Sequence, residues 1–189
     1  MDHGRRPTRA WRLVCVGVTA VLAATVSRPA RAASAADLTR DSAAELSKLY
    51  ARQPSAKVLG QKAKGILVFP SIVKAGFMFG GQIGEGALRR NGRVTGYYNS
   101  VAASYGFQAG VQKFGYALFF MSDAALDRLD ATRGFELGTG PSLVVVDKGI
   151  GKSITSNTIT SDIYAFIFDQ KGLMAGVGIQ GSKITRIDK

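Results

Sequence analysis

Residues 163–187 read IYAFIFDQKGLMAGVGIQGSKITRI. Two apolar runs of strand length flank Asp169, Gln170, Lys171 and Gly172, a polar cluster whose glycine can take the positive φ that a tight reversal needs. The pattern predicts a β-hairpin. With a four-residue turn, Phe168 faces Leu173, Phe166 faces Ala175 and Tyr164 faces Val177. Side chains alternate along a strand, so these pairs share one thick face, and Ile163, Ala165, Ile167, Met174, Gly176 and Gly178 share a thin one. Glycine at every second strand position marks a place where a backbone, a ring or a ligand comes close.

The same thin face recurs twice upstream. Residues 75–88 read AGFMFGGQIGEGAL, where Gly80, Gln82, Gly84 and Gly86 alternate with larger side chains. Residues 103–111 repeat it with Gly106, Gln108 and Gly110, and the final copy adds Gln180 to Gly176 and Gly178. Between the first two copies, Arg89-Arg90-Asn91-Gly92-Arg93 contains Asn-Gly, a strong hairpin signal, and the turn carries three cations. Shorter apolar runs at 66–69, 94–98, 116–121, 135–137 and 143–146 read as further strands, the first ended by Pro70.

Helical spacing is confined to two places. Over residues 37–52, Leu38, Ala43, Leu46, Leu49 and Tyr50 gather on one side and the charges on the other, and Pro54 stops the helix. Ser122 then caps a short helix over 123–131. Residues 56–64 read as a short basic connection with Lys57, Lys62 and Lys64, and 148–160 as a polar loop. The expected fold is an α+β domain: a mainly antiparallel, curved β-sheet with an N-terminal amphipathic helix and a second short helix.

Residues 1–32 have the form of an export signal: Arg5, Arg6, Arg9 and Arg12, an apolar run over 13–26, then Ala30-Arg31-Ala32. The expected product is a single domain over 33–189, periplasmic or secreted and able to associate peripherally with membrane. The signal takes six of the 25 basic and one of the 13 acidic residues, which leaves a surplus of seven positive charges. That surplus favours anionic partners, and for an exported protein acidic lipid is a better candidate than nucleic acid.

His3 and Cys15 are the only residues of their kinds and both leave with the signal. Without imidazole or thiol there is no serine–histidine triad, cysteine nucleophile, disulfide, or zinc site built from those ligands. An enzyme is not expected, and neither a metal nor another cofactor. Gly176 to Gly181 fits GxGxxG, but no helix follows it to hold a pyrophosphate. Gly151-Lys152-Ser153 resembles the end of a P-loop, yet Val146 stands where that loop needs glycine. Asp123, Asp127 and Asp130 are explained by capping and solvation of one helix, and Glu85 and Asp162 are expected in structural ion pairs.

Several of these segments, in this order, resemble the SYLF family of lipid-binding domains. The resemblance lies in the run from Ala63 to Pro70, in Val73-Lys74-Ala75-Gly76-Phe77 with its continuation to Gly86, and in the run from Tyr105 to Gly110. It continues through Gly138 to Asp147 and Lys171 to Gly181, covering a core of about residues 45–187. It implies a non-enzymatic lipid-binding module, with phosphoinositides and sometimes actin as ligands of eukaryotic members. An exported chain is separated from both, so what carries over is a capacity for anionic phospholipid, fatty acid or a membrane surface. Lys64, Lys74, Lys171 and Lys183 lie within family-like segments, and charge adds Lys62, Arg89, Arg90 and Arg93 as candidate contacts. The alternative is an envelope-associated structural protein that assembles with itself through sheet edges, with lipid incidental.

Overall fold

The structure is a computed structural model, and it describes residues 33–131, 134–138, 142–146, 154, 158–172, 179 and 181–189. The export-signal reading of 1–32, the P-loop-like 151–153, most of the 148–160 loop, Thr139 to Pro141 and the last glycine copy at 173–178 lie outside them. The elements are α1 (Ala35–Arg52), α2 (Pro54–Lys62), β1 (Gly65–Arg90), β2 (Arg93–Phe120), α3 (Asp123–Ala131), β3 (Phe135–Glu136), β4 (Leu143–Val145), β5 (Ile163–Gly172) and β6 (Lys183–Ile187). The described strands form one six-stranded sheet, mostly antiparallel as expected, with β4 parallel to β5.

β1 and β2 are one long ribbon. Arg90 pairs with Arg93 across Asn91 (φ 50°) and Gly92 (φ 77°), the two left-handed residues of a tight hairpin turn. From there the strands pair back to Gly65 and Phe120. Pro70 does not end β1 as expected: it sits at a register shift between Phe69 and Ile72, where a missing N–H breaks no ladder bond. Likewise 94–98, 103–111 and 116–120 belong to one strand.

The ribbon doubles back on itself. Val68 and Gly86 are eighteen positions apart, about 60 Å in a straight strand. Yet a Cβ added to Gly86 would stand 2.5 Å from the Val68 carbonyl oxygen, one on Gly84 would strike the Ser71 carbonyl, and one on Gly65 would reach Leu88 at 3.3 Å. These contacts run in antiparallel order about a point near residue 77. In β2 the Tyr116 hydroxyl donates to Ser100 Oγ at 2.7 Å, a contact centred near residue 108. Both points fall where the register slips between Gly76↔Gly110 and Met78↔Gly106. The first two thin faces are therefore the two strands of a single bend.

Doubling back creates two cores. Inside the fold, Leu67, Phe69, Ile72, Tyr98, Phe114, Tyr116 and Leu118 pack together with α3 and Phe135. On the outside of the same strands, Leu46, Leu49, Ala56 and Leu59 of α1 and α2 cover Ile66, Val68, Ala117, Phe119, Tyr164 and Phe166. Ser34 caps α1 by accepting from the Asp37 N–H at 3.1 Å. The buried stripe of α1 is Leu38, Ser42, Leu46 and Leu49, with Ser42 turned inward in place of Ala43.

Helix α2 departs from the expected basic connection. Pro54 does end α1, and its fixed φ then suits it to start the next helix. Only Ser55, Ala56 and Leu59 are buried there, too narrow a stripe to show as a period.

The turn expected at 169–172 is corrected, while the strand expected to face β5, residues 173–178, lies outside the described residues. Residues 169–172 are not a turn but the end of β5, with Lys171 opposite Lys113 and Gly172 opposite Gln112. β6 pairs with β2 over 97–101 and with β3, not with β5. β2 is thus the spine, carrying β1 along one edge and β5 and β6 along the other. Asp169 takes a positive φ of 50°, the conformation expected of a turn, inside a strand end held by Arg52 at 2.6 Å.

Candidate functional site: the two faces of the bent ribbon

On either side of the register slip, alternation along both strands assigns the described side chains to an inner or an outer face. The inner face carries most of the thin-face residues. Gly84 and Gly86 are closed over by the Ser71 and Val68 backbone and by Ile72 and Phe69, so at these two positions the face is a packing surface. Gln82 is buried and donates to Ser182 Oγ at 2.7 Å, tying the bend to the segment before β6. Gly80 lies opposite Ser104, and Gly106 and Gly110 pair with Met78 and Gly76. Gln108 lies in β2 between them, while Gly176, Gly178 and Gln180 fall outside the described residues. Gln112, also inward and buried, keeps Oε1 without a partner among the described residues.

The described side chains on the outer face of the bend are exposed. Val73, Ile83, Val101 and Val111 are 42%, 60%, 44% and 62% exposed, high values for side chains of this type. Ile83 and Val101 are direct cross-strand partners, as are Ala75 and Val111. Each end of this stripe continues into lysine: Val73 pairs with Lys113 and Lys113 with Lys171, while Val101 pairs with Lys183. Residues directly opposite in a sheet point the same way, so the three ammonium-bearing side chains border the apolar stripe. Lys113 was not singled out in the sequence; its signal is the outward alternation Val101, Ala103, Val111, Lys113.

The other basic candidates are not gathered into one patch. Arg90 is bound to Asp130 at 2.6 Å, and Asp130 also accepts from the Tyr98 hydroxyl at 2.6 Å and meets Arg186 at 3.5 Å. Arg89 donates to the Gly92 carbonyl at 2.8 Å and so staples its own turn. Arg93 is exposed at that turn. Lys64 faces Asp123 at 3.5 Å, Lys62 ends α2, and Lys74 is half-buried on the inward side of β1 opposite Gln112.

Three carboxylates hold elements together. Glu85 pairs with Lys189 at 2.9 Å, as expected. Asp162 is held by hydrogen bonds: it accepts from Ser122 Oγ at 2.9 Å and from the Ser142 N–H and hydroxyl at 3.3 and 3.2 Å. The Ser122 bond and those of Ser142 hold its carboxyl below the usual carboxylate range. Ser122 in turn accepts from the Ala125 N–H, so Asp162 fixes the start of α3. Asp169 is held low by Arg52 and clamps the end of α1 to β5. Between them lies a cavity of about 170 Å³ lined by Glu45, Lys48, Leu49 and Phe168.

Among the described residues no helix is long and apolar enough to cross a membrane. No curated protein matches the chain. Residues 101–189 match the family described as Ysc84, Las17-binding protein actin regulator, a match that begins within β2 and takes in α3 and β3 to β6. Over those residues the chain is similar to the SYLF (Ysc84) family, which is linked to lipid binding.

Proposed function

We propose that the protein is an exported, non-enzymatic lipid-binding protein that engages anionic phospholipid or fatty acid at a membrane surface. The match of residues 101–189 to that family is the observation that carries this reading. The positive surplus of the chain supports it, because cations held near an anionic lipid surface each contribute about 1 kcal/mol. The protein partner and the actin role named in the family's description belong to other members. An exported chain would meet phospholipid head groups first.

The test is flotation of residues 33–189 with neutral and with anionic vesicles at low and high salt. This segment contains both cores and every described strand pairing, and it corresponds to a compact unit, Ala32–Lys189. Binding to anionic vesicles alone, weakened by salt, is the expected result. No association with either vesicle would remove the membrane-surface reading.

A further inference from the structure

We propose that the outer face of the ribbon bend is the surface that lies on the bilayer, with its valine and isoleucine side chains entering the acyl boundary and its lysines at the phosphates. This rests on the lipid-binding reading and adds to it the location and mode of contact. Three observations converge on this face. The four large apolar side chains most exposed among the described residues all lie on it, although they come from two strands and are up to 38 positions apart. A bare apolar stripe of this kind marks an interaction surface.

The second observation is charge. Lys113 and Lys171 are directly opposed across β2 and β5, an arrangement that is unfavourable in isolation and is relieved by an anion between or above the two ammonium groups. No ion pair to Lys113, Lys171 or Lys183 is found among the described residues, whereas Arg90, Arg52, Lys64 and Lys189 each meet a carboxylate. Two acids stand on this side: Glu85 is already neutralised by Lys189, and Glu136 lies directly opposite Lys183 across β3 and β6, which leaves the Lys113–Lys171 pair as the part of the face with no acid opposite it.

The third is shape. This is the outside of a fold, and on its inward side Gly84 and Gly86 are sealed by the ribbon's own first half. A convex stripe flanked by cations can rest on a surface but cannot wrap one acyl chain. The chemistry therefore selects a bilayer presenting phosphate groups. A second copy of the chain would have to bring the same lysines together, which like charge opposes.

The experiment is sedimentation of residues 33–189 with vesicles of equimolar phosphatidylglycerol and phosphatidylcholine, comparing three variants whose folding is checked by circular dichroism. Lys113→Gln/Lys171→Gln/Lys183→Gln is expected to weaken binding about a hundredfold. Ile83→Ser/Val111→Ser is expected to weaken it about tenfold, with the salt dependence unchanged. Arg89→Gln/Arg93→Gln, at the hairpin turn, is expected to bind like the parent protein. Loss in the turn variant with retention in the two ribbon variants would overturn the location while leaving the lipid-binding reading standing. An unmodified protein that fails to sediment would remove that reading itself. Self-association in the absence of vesicles, abolished by Ile83→Ser/Val111→Ser, would assign the stripe to a second copy and overturn the proposal.

Discussion

The closed side of the ribbon and its bend are built from the same two strands, paired without interruption by any other element, and they differ in what covers them. On the closed side, residues 65–69 of β1 and 116–120 of β2 are buried on both faces, against the folded-back ribbon within and against α1 and α2 without. Among the described side chains of the bend, the inward Ile72, Gln82 and Gln112 are buried, and Val73, Ile83, Val101 and Val111 stand in solvent. One strand pair thus supplies a structural core at one end and an accessible surface at the other. Mutations should separate the two.

The largest effect belongs on the closed side. Phe119 is fully buried, with its ring 5.3 Å from that of Phe166 and 6.4 Å from that of Tyr50. Phe119→Ala is expected to destabilise by about 4 kcal/mol in urea unfolding. A loss no greater than that of an exposed site would mean that α1 and α2 do not cover this face.

Next comes the doubling itself. Gly86→Val forces branched carbons into the Val68 backbone and the Phe69 ring, neither of which can yield cheaply, and is expected to destabilise by about 3 kcal/mol. Gly81 is exposed and meets only the Ala102 carbonyl at 3.6 Å, an ordinary contact. Gly81→Val should change stability by less than about 0.5 kcal/mol, since a β-branched residue suits a strand. Equal costs at both positions would argue that the ribbon is open.

A smaller effect concerns alkaline pH. Burial pushes the Tyr98 hydroxyl well above the usual phenol range, and its bond to Asp130 pushes it further; burial does the same for Tyr116. A raised folded-state value makes the contribution complete below the unfolded value of about 10 and lost progressively as pH rises above it. Unfolding on raising pH should therefore begin near pH 10, and Tyr116→Phe should flatten that slope while changing neutral-pH stability by about 1 kcal/mol. An unchanged slope would place the hydroxyl in water.

The smallest stability change is expected at the bend. Ile83→Ser removes an exposed apolar group and should alter the midpoint by less than about 0.5 kcal/mol. A large destabilisation there would show that the stripe is core after all.

This contrast also explains how far the sequence could be read. The runs at 66–69 and 116–120 are apolar at every position because both of their faces are covered, and they were legible as strands. The Asn91-Gly92 turn, the Ser122 cap and the curvature implied by the glycines were equally plain. The partner of those glycines was not. Gly86 is matched to Val68 and Phe69 of its own strand, and a periodicity cannot show that a strand returns to itself. The thin face at Gly84 and Gly86 therefore left a backbone, a ring or a ligand open as its neighbour, and at these two positions the neighbours are the backbone and side chains of its own strand. Lys171 was identified, but as part of a turn; its opposition to Lys113 depends on β5 continuing past Asp169, which looks like a turn residue and adopts a turn residue's φ. Helix α2 escaped because its buried stripe is Ser55, Ala56 and Leu59 on a basic background. The basic surface was thus legible by residue type but not by grouping. Arg90 looks as available as Lys183 until Asp130, forty positions away, is brought against it.

The most direct test of the contrast is amide hydrogen exchange of residues 33–189, alone and with anionic vesicles. The account predicts that residues 65–69 and 116–120 are protected in both conditions, and that vesicles slow exchange over residues 73–83 and 101–113. Slowing confined to the turn at 89–93, or no change at the bend when the protein is vesicle-bound, would contradict it.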